Sequence, residues 1–136
     1  MRRTALFMSM VAALLIGVAL PLTPASATGP SLACNIQPSN NDNFNVMCGT
    51  SIPTTSYTIS YVVQGGSGTY TYSWTPPAGG TNTGGCTSTT FYCDVSVHHG
   101  DLDHSYVATV VLTQGGTKTT LKSTAFIAGV CGNMFC

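Results

Sequence analysis

The run Ser56-Tyr57-Thr58-Ile59-Ser60-Tyr61-Val62-Val63-Gln64-Gly65-Gly66-Ser67-Gly68-Thr69-Tyr70-Thr71-Tyr72-Ser73-Trp74-Thr75 reads as two strands and the turn between them. Tyr57, Ile59, Tyr61 and Val63 fall on one side of an extended chain, and Thr58, Ser60 and Val62 fall on the other. A period of two puts alternate side chains on opposite faces of a strand, and β-branched and aromatic residues suit that half-buried surface. The glycine-rich segment 65–68 is a turn, after which Tyr70, Tyr72 and Trp74 share a face.

The same period continues downstream. Pro76 to Gly80 ends the second strand, and the Gly/Thr/Pro segment 76–88 has room for one short edge strand. Phe91, Cys93, Val95 and Val97 alternate with Tyr92, Asp94 and Ser96. Beyond the His98–Asp103 connection, Tyr106, Ala108, Val110 and Leu112 form another inward row. Gln114-Gly115-Gly116 is a hairpin turn, and the last strand is Lys118 to Ile127, with Leu121, Ala125 and Ile127 aligned. Upstream, residues 28–55 form an Asn/Ser/Pro-rich segment with a loop or turn at 40–43 and a possible first strand over Phe44–Cys48. No helical period interrupts this series. Five to seven short strands with regular turn signals argue an all-β, antiparallel β-sandwich.

Residues 1–27 have the order of a secretory signal: Arg2 and Arg3, a nearly continuous apolar run from Ala5 to Leu20, then Ala25-Ser26-Ala27. The competing reading is a retained membrane anchor, since the apolar run approaches spanning length. Cleavage after Ala27 leaves 136 − 27 = 109 residues. Their charged groups are Asp42, Asp94, Asp101, Asp103, Lys118 and Lys122, so two lysines minus four aspartates give −2. That balance excludes a basic groove for nucleic acid and a polybasic membrane patch. A secreted chain of this kind, with no membrane contact after signal cleavage, has an extracellular protein or a glycan as its expected partner.

Cys34, Cys48, Cys86, Cys93, Cys131 and Cys136 all lie beyond the signal. An even number in a short exported chain implies disulfides. Sequence proximity suggests Cys34–Cys48, Cys86–Cys93 and Cys131–Cys136. A rival scheme ties the first pair to the last and keeps Cys86–Cys93 local. Zinc ligation has no C-x2-C spacing to support it.

Gly65-Gly66-Ser67-Gly68-Thr69-Tyr70-Thr71-Tyr72-Ser73-Trp74-Thr75-Pro76 resembles the hairpin of bacterial immunoglobulin-like and PKD-type extracellular repeats. His104-Ser105-Tyr106-Val107-Ala108-Thr109-Val110 is similar to their penultimate strand. The resemblance spans roughly residues 55–128 and implies an immunoglobulin-like sandwich, which the disulfides expected from the cysteine count would staple. It also implies that Trp74 packs between the sheets and that Tyr106 acts as a tyrosine corner. The organisation expected is a signal at 1–27, the Asn/Ser/Pro-rich segment 28–55, the sandwich 56–128 and a Cys-bracketed tail 129–136.

Three features compete as sites. His98-His99-Gly100-Asp101-Leu102-Asp103-His104 holds every histidine and two of the four acids. Imidazole and carboxylate are metal ligands, so His98, His99, Asp101, Asp103 and His104 are the metal candidates. A solvated turn is the preferred reading, because no fixed ligand spacing is present. Tyr70, Tyr72 and Trp74 make a platform for sugar rings if they face outward, and core if they face inward, which is the preferred reading. Cys131–Cys136 closes a small ring that displays Met134 and Phe135 as a contact point, or serves as a terminal staple. With no nucleophile elbow and few titratable groups, no catalytic residue and no cofactor is expected. The functional expectation is a non-catalytic binding or adhesion module of the bacterial cell envelope or medium. The alternative is a protease inhibitor presenting Thr87–Tyr92, or a carrier holding a small apolar ligand in a cleft beside the 76–90 loop.

Overall fold

A computed structural model describes residues 29–39 and 43–136. The expected signal at 1–27 and most of the expected 40–43 turn lie outside them. Ten strands are present among the described residues, in chain order β1 (Ser31–Gln37), β2 (Met47–Gly49), β3 (Ser56–Gln64), β4 (Thr71–Thr75), β5 (Gly80–Gly85), β6 (Tyr92–His98), β7 (His104–Gln114), β8 (Thr117–Ile127), β9 (Val130–Cys131) and β10 (Met134–Phe135). Eight form two four-stranded sheets, β1-β3-β6-β5 and β2-β8-β7-β4, and β9 and β10 make a small ribbon. Neighbours run antiparallel except β2 and β8, which are parallel. The all-β expectation holds.

The alternation that defined the strands also builds the core. Tyr57, Ile59 and Tyr61 of β3 and Cys93, Val95 and Val97 of β6 are buried from one sheet, while Tyr106, Ala108, Val110 and Leu112 of β7 meet them from the other. Ala125 and Ile127 of β8 complete that layer. Phe91 departs from its expected row: it precedes β6 and is 54% exposed. Tyr61 stands at the centre, where its hydroxyl donates to the Tyr106 carbonyl at 2.8 Å and so satisfies a polar atom inside the interior.

Part of the expected segment 28–55 belongs to the sandwich: β1 pairs along its whole length with β3, and Leu32, Cys34 and Ile36 are buried in the core. Their alternation was present in the sequence but masked by the surrounding Ser, Asn and Pro. Of the expected Phe44–Cys48 strand, only its last two residues fall in β2, and Phe44 is exposed. Asn45 instead makes reciprocal backbone bonds with Cys34 (2.7 and 3.1 Å). The chain then crosses to the other sheet, where the Val46 carbonyl accepts from Thr124 N–H and the Ser123 hydroxyl.

The disulfides are the local set: Cys34–Cys48, Cys86–Cys93 and Cys131–Cys136. Cys34–Cys48 links β1 of one sheet to β2 of the other. Cys86–Cys93 folds residues 86–91 back over β4, where Tyr72 N–H donates to the Ser88 carbonyl. Such a small disulfide-bonded all-β chain is compatible with an extracellular location.

Candidate functional site

The expected His/Asp loop and the expected Cys-bracketed ring are separated in sequence but joined in the structure. Residues 99–103 connect β6 to β7 at one end of the molecule, and the chain leaving β8 passes directly against them. His99 is buried and carries most of this joint. Its Nε2 lies 2.9 Å from the Ala128 carbonyl, and its Nδ1 lies 3.3 Å from the Tyr106 hydroxyl. A carbonyl only accepts, so Nε2 carries the proton in the bond to Ala128. The Tyr106 hydroxyl also lies 3.4 Å from the His98 carbonyl, a corner-like link from β7 back to the end of β6.

Two further bonds fasten the same junction. The Asp103 carboxylate accepts from Gly129 N–H at 2.8 Å, and Val130 N–H donates to the Gly100 carbonyl at 2.9 Å. Gly129 is required here by its neighbours, since a Cβ at this position would collide with the Asp101 carbonyl group. Ring contacts reinforce the joint: Tyr106 meets His104 at 4.5 Å between centroids, and Tyr57 meets His99 edge-on at 6.1 Å.

This geometry distributes the metal candidates among other tasks. Both nitrogens of His99 are engaged, Asp103 is bonded to backbone, and His104 lies against a tyrosine ring. His98 is exposed at the end of β6 and Asp101 is exposed on the loop. Among the described residues, no three His, Cys, Asp or Glu side chains gather as a metal site. Burial pushes the Tyr61 hydroxyl well above the ordinary tyrosine range, and Tyr106 adds a smaller rise. Burial also raises Tyr106.

What the joint displays is apolar. Leu102 is 77% exposed on the loop and Met134 is 67% exposed on the ring, while Phe135 is half-buried and pairs with buried Val130. Leu102 was not singled out in the sequence; its signal was an apolar residue between two aspartates. Leu102 on the loop and Met134 on the ring are thus each exposed on backbone held by the bonds above, among the exposed polar residues His98, Asp101, Asp103 and Asn133.

The aromatic row lies elsewhere. Tyr72 and Trp74 stack with ring centroids 6.4 Å apart and pack on the core from its margin, each half-buried. Trp74 therefore faces inward as expected, but Tyr61, not Trp74, occupies the centre of the sandwich. The indole N–H donates to the Thr90 carbonyl at 3.0 Å. These rings fill the space where a carrier's cleft beside the 76–90 loop would open, and the described residues enclose no pocket. In the expected inhibitor loop, the Ser88 and Thr90 carbonyls are turned to β4. No protein-family model, curated protein or solved structure matches this chain.

Proposed function

We propose that this chain is an exported, non-catalytic binding module of immunoglobulin-like and PKD-like kind, which engages an extracellular protein or glycan through the tip formed by residues 98–104 and 128–136. The strand order supports the kinship. β1-β3-β6-β5 facing β8-β7-β4 corresponds to the A-B-E-D and G-F-C sheets of constant-type immunoglobulin domains, with β2 as an added edge. The disulfides and the leader-like sequence of residues 1–27 support export.

The observation that carries the binding surface is the latched display of Leu102 and Met134. Contacts made by a pre-ordered backbone lose less entropy on association than contacts made by a mobile loop. Exposed aliphatic side chains at such a site offer apolar area for a partner to cover. The polar groups His99 and Asp103 hold backbone, which supports a positioning role for them.

The test is a screen of the chain against extracellular proteins and glycans, repeated with Leu102→Ser/Met134→Ser. Binding lost in this variant at unchanged melting temperature is the expected outcome, with Thr120→Ala on the outer sheet face as the silent control. Binding that survives the tip variant places the contact surface elsewhere. A hydrolytic activity abolished by His99→Ala or His104→Ala but retained in Leu102→Ser/Met134→Ser would replace the binding reading with an enzymatic one.

A further inference from the structure

The three disulfides differ in what surrounds their sulfurs. Cys34 and Cys93 are each 0% exposed, and their partners Cys48 and Cys86 are half-buried against the core. In the third bridge both Cys131 and Cys136 are exposed. Thiol–disulfide exchange has two requirements that these surroundings decide. An incoming thiolate must reach one sulfur in line with the S–S bond, and the other sulfur must leave as an anion.

At Cys34–Cys48, attack on Cys34 is sterically closed. Attack on Cys48 would expel the Cys34 thiolate into an apolar interior, where a buried anion is strongly disfavoured. The same holds for Cys86–Cys93, whose leaving group would be the buried Cys93. At Cys131–Cys136 both residues are exposed, so neither the steric barrier nor the cost of a buried thiolate that protects the other bridges applies. Bonds that do not involve the sulfurs also frame this bridge: Val130 N–H donates to the Gly100 carbonyl, Cys136 N–H donates to the Gly129 carbonyl, and β9 pairs with β10. Its sequence separation of 5 is the shortest of the three, so its closure restricts the unfolded chain least.

From this contrast we infer that Cys131–Cys136 is a thiol-exchange site, which takes an external thiolate into a mixed disulfide while the other two bridges stay closed. The described residues contain no free cysteine, so the attacking thiol comes from outside the chain. The incoming sulfur bonds to Sγ of Cys131 or Cys136, the Cys131–Cys136 bond breaks, and its electron pair leaves on the other Sγ, which takes a proton from water. One disulfide is consumed and one is formed, so no oxidant or reductant is needed. The freed thiol, held beside the mixed disulfide by the β9–β10 pairing, reverses the step by expelling the incoming thiol and closing the ring. Exchange is therefore reversible, and the adduct accumulates in proportion to external thiol.

The experiment uses the folded, oxidised chain with graded reduced glutathione, quenched with iodoacetamide and read by intact mass and peptide mapping. Glutathione and alkylation on Cys131 and Cys136 are expected at least roughly tenfold faster than opening of either other bridge, at unchanged melting temperature. A parallel arm replaces glutathione with a cysteine-bearing peptide. Adducts with glutathione alone assign the site to small thiols, and adducts with both extend it to protein thiols. No adduct in either arm, earlier opening of Cys34–Cys48 or Cys86–Cys93, or simultaneous opening of all three overturns the inference. The Cys131→Ser/Cys136→Ser variant is expected to lose the fast adduct and keep the slow ones; a fast adduct that persists also overturns it. These readouts are independent of whether the tip binds a partner.

Discussion

The margin beside β4 and the tip beyond β7 solve the same problem in opposite ways. In both, a loop folds back on the sandwich next to a short disulfide, and in both an aromatic side chain is tied down by a hydrogen bond. At the margin one sulfur of the bridge, Cys93, lies in the core, and the stacked Tyr72 and Trp74 are partly withdrawn from water. At the tip the bridge lies wholly outside the core, polar contacts through His99, Asp103 and Gly129 hold the backbone, and the apolar side chains stay exposed. The margin spends its contacts on cohesion, whereas the tip uses them to hold a surface open. A disulfide near a loop is thus no guide to the loop's role until the location of its sulfurs is known.

That contrast is broken most directly at Trp74. Trp74→Ala removes the stacked indole and the bond to the Thr90 carbonyl, and about 3 kcal/mol of global stability is expected to go with them in urea unfolding. A loss below about 1 kcal/mol, within the range of ordinary surface substitutions, would mean that the margin is as peripheral as the tip. Removing the margin's bridge with Cys86→Ser/Cys93→Ser is next, at about 2 kcal/mol by the same measurement.

Tyr61→Phe probes the core between the two regions. It leaves the Tyr106 carbonyl without its buried donor, for an expected loss of about 1–2 kcal/mol. It also tests the alkaline limb of stability. Burial raises the Tyr61 and Tyr106 hydroxyls above the ordinary value of 10.0, so the folded state holds protons that the unfolded state has released. This contribution is full below that pH and declines as pH rises above it toward the folded values. Alkaline unfolding of the native chain should steepen above that point, and Tyr61→Phe should blunt it.

The smallest global effects are expected at the tip. Gly129→Ala drives a Cβ into the Asp101 carbonyl group and should release the 128–136 segment. Hydrogen exchange at the Val130 and Cys136 amides is expected to quicken by roughly tenfold or more, while global stability changes by less than about 1 kcal/mol. A cooperative loss of the whole fold would show that the tip belongs to the core's unfolding unit.

Much of the framework was legible because period-two alternation in Tyr, Ile and Val is a strong signal, as over Ser56–Gln64 and His104–Leu112. β1 was harder. Its Leu32, Cys34 and Ile36 alternate, but Pro30, Pro38 and the neighbouring Asn and Ser residues give the segment the composition of a linker. β5, over Gly80–Gly85, is the short edge strand for which segment 76–88 had room; with only Thr81 and Thr83 as strand formers its bounds are set by pairing with β6. At the site, sequence supplied the His/Asp loop and the cysteine ring as separate candidates. Their union depends on contacts 29 and 26 residues apart, His99 to Ala128 and Asp103 to Gly129, which no local pattern encodes. Alternation put Trp74 on one face with Tyr70 and Tyr72, and only the resemblance to immunoglobulin-like repeats implied that this face points inward. Its position at the rim followed only from β4 being the last strand of its sheet.

The blunting of the sheet edges has a consequence for how this chain behaves in company. Residues 28–136 carry only six charged groups, too few for electrostatic repulsion to keep copies apart. The work falls to shape instead. Asn45 occupies the backbone groups at the middle of β1, β2 is only three residues long, Ser88 caps the flank of β4, and the β5–β6 register shifts between Asn82 and Gly84. None of these edges offers a neighbouring copy a long straight ladder to extend. In a chain with so few charges, interrupted edges of this kind are the feature of the fold that opposes strand-to-strand pairing between copies.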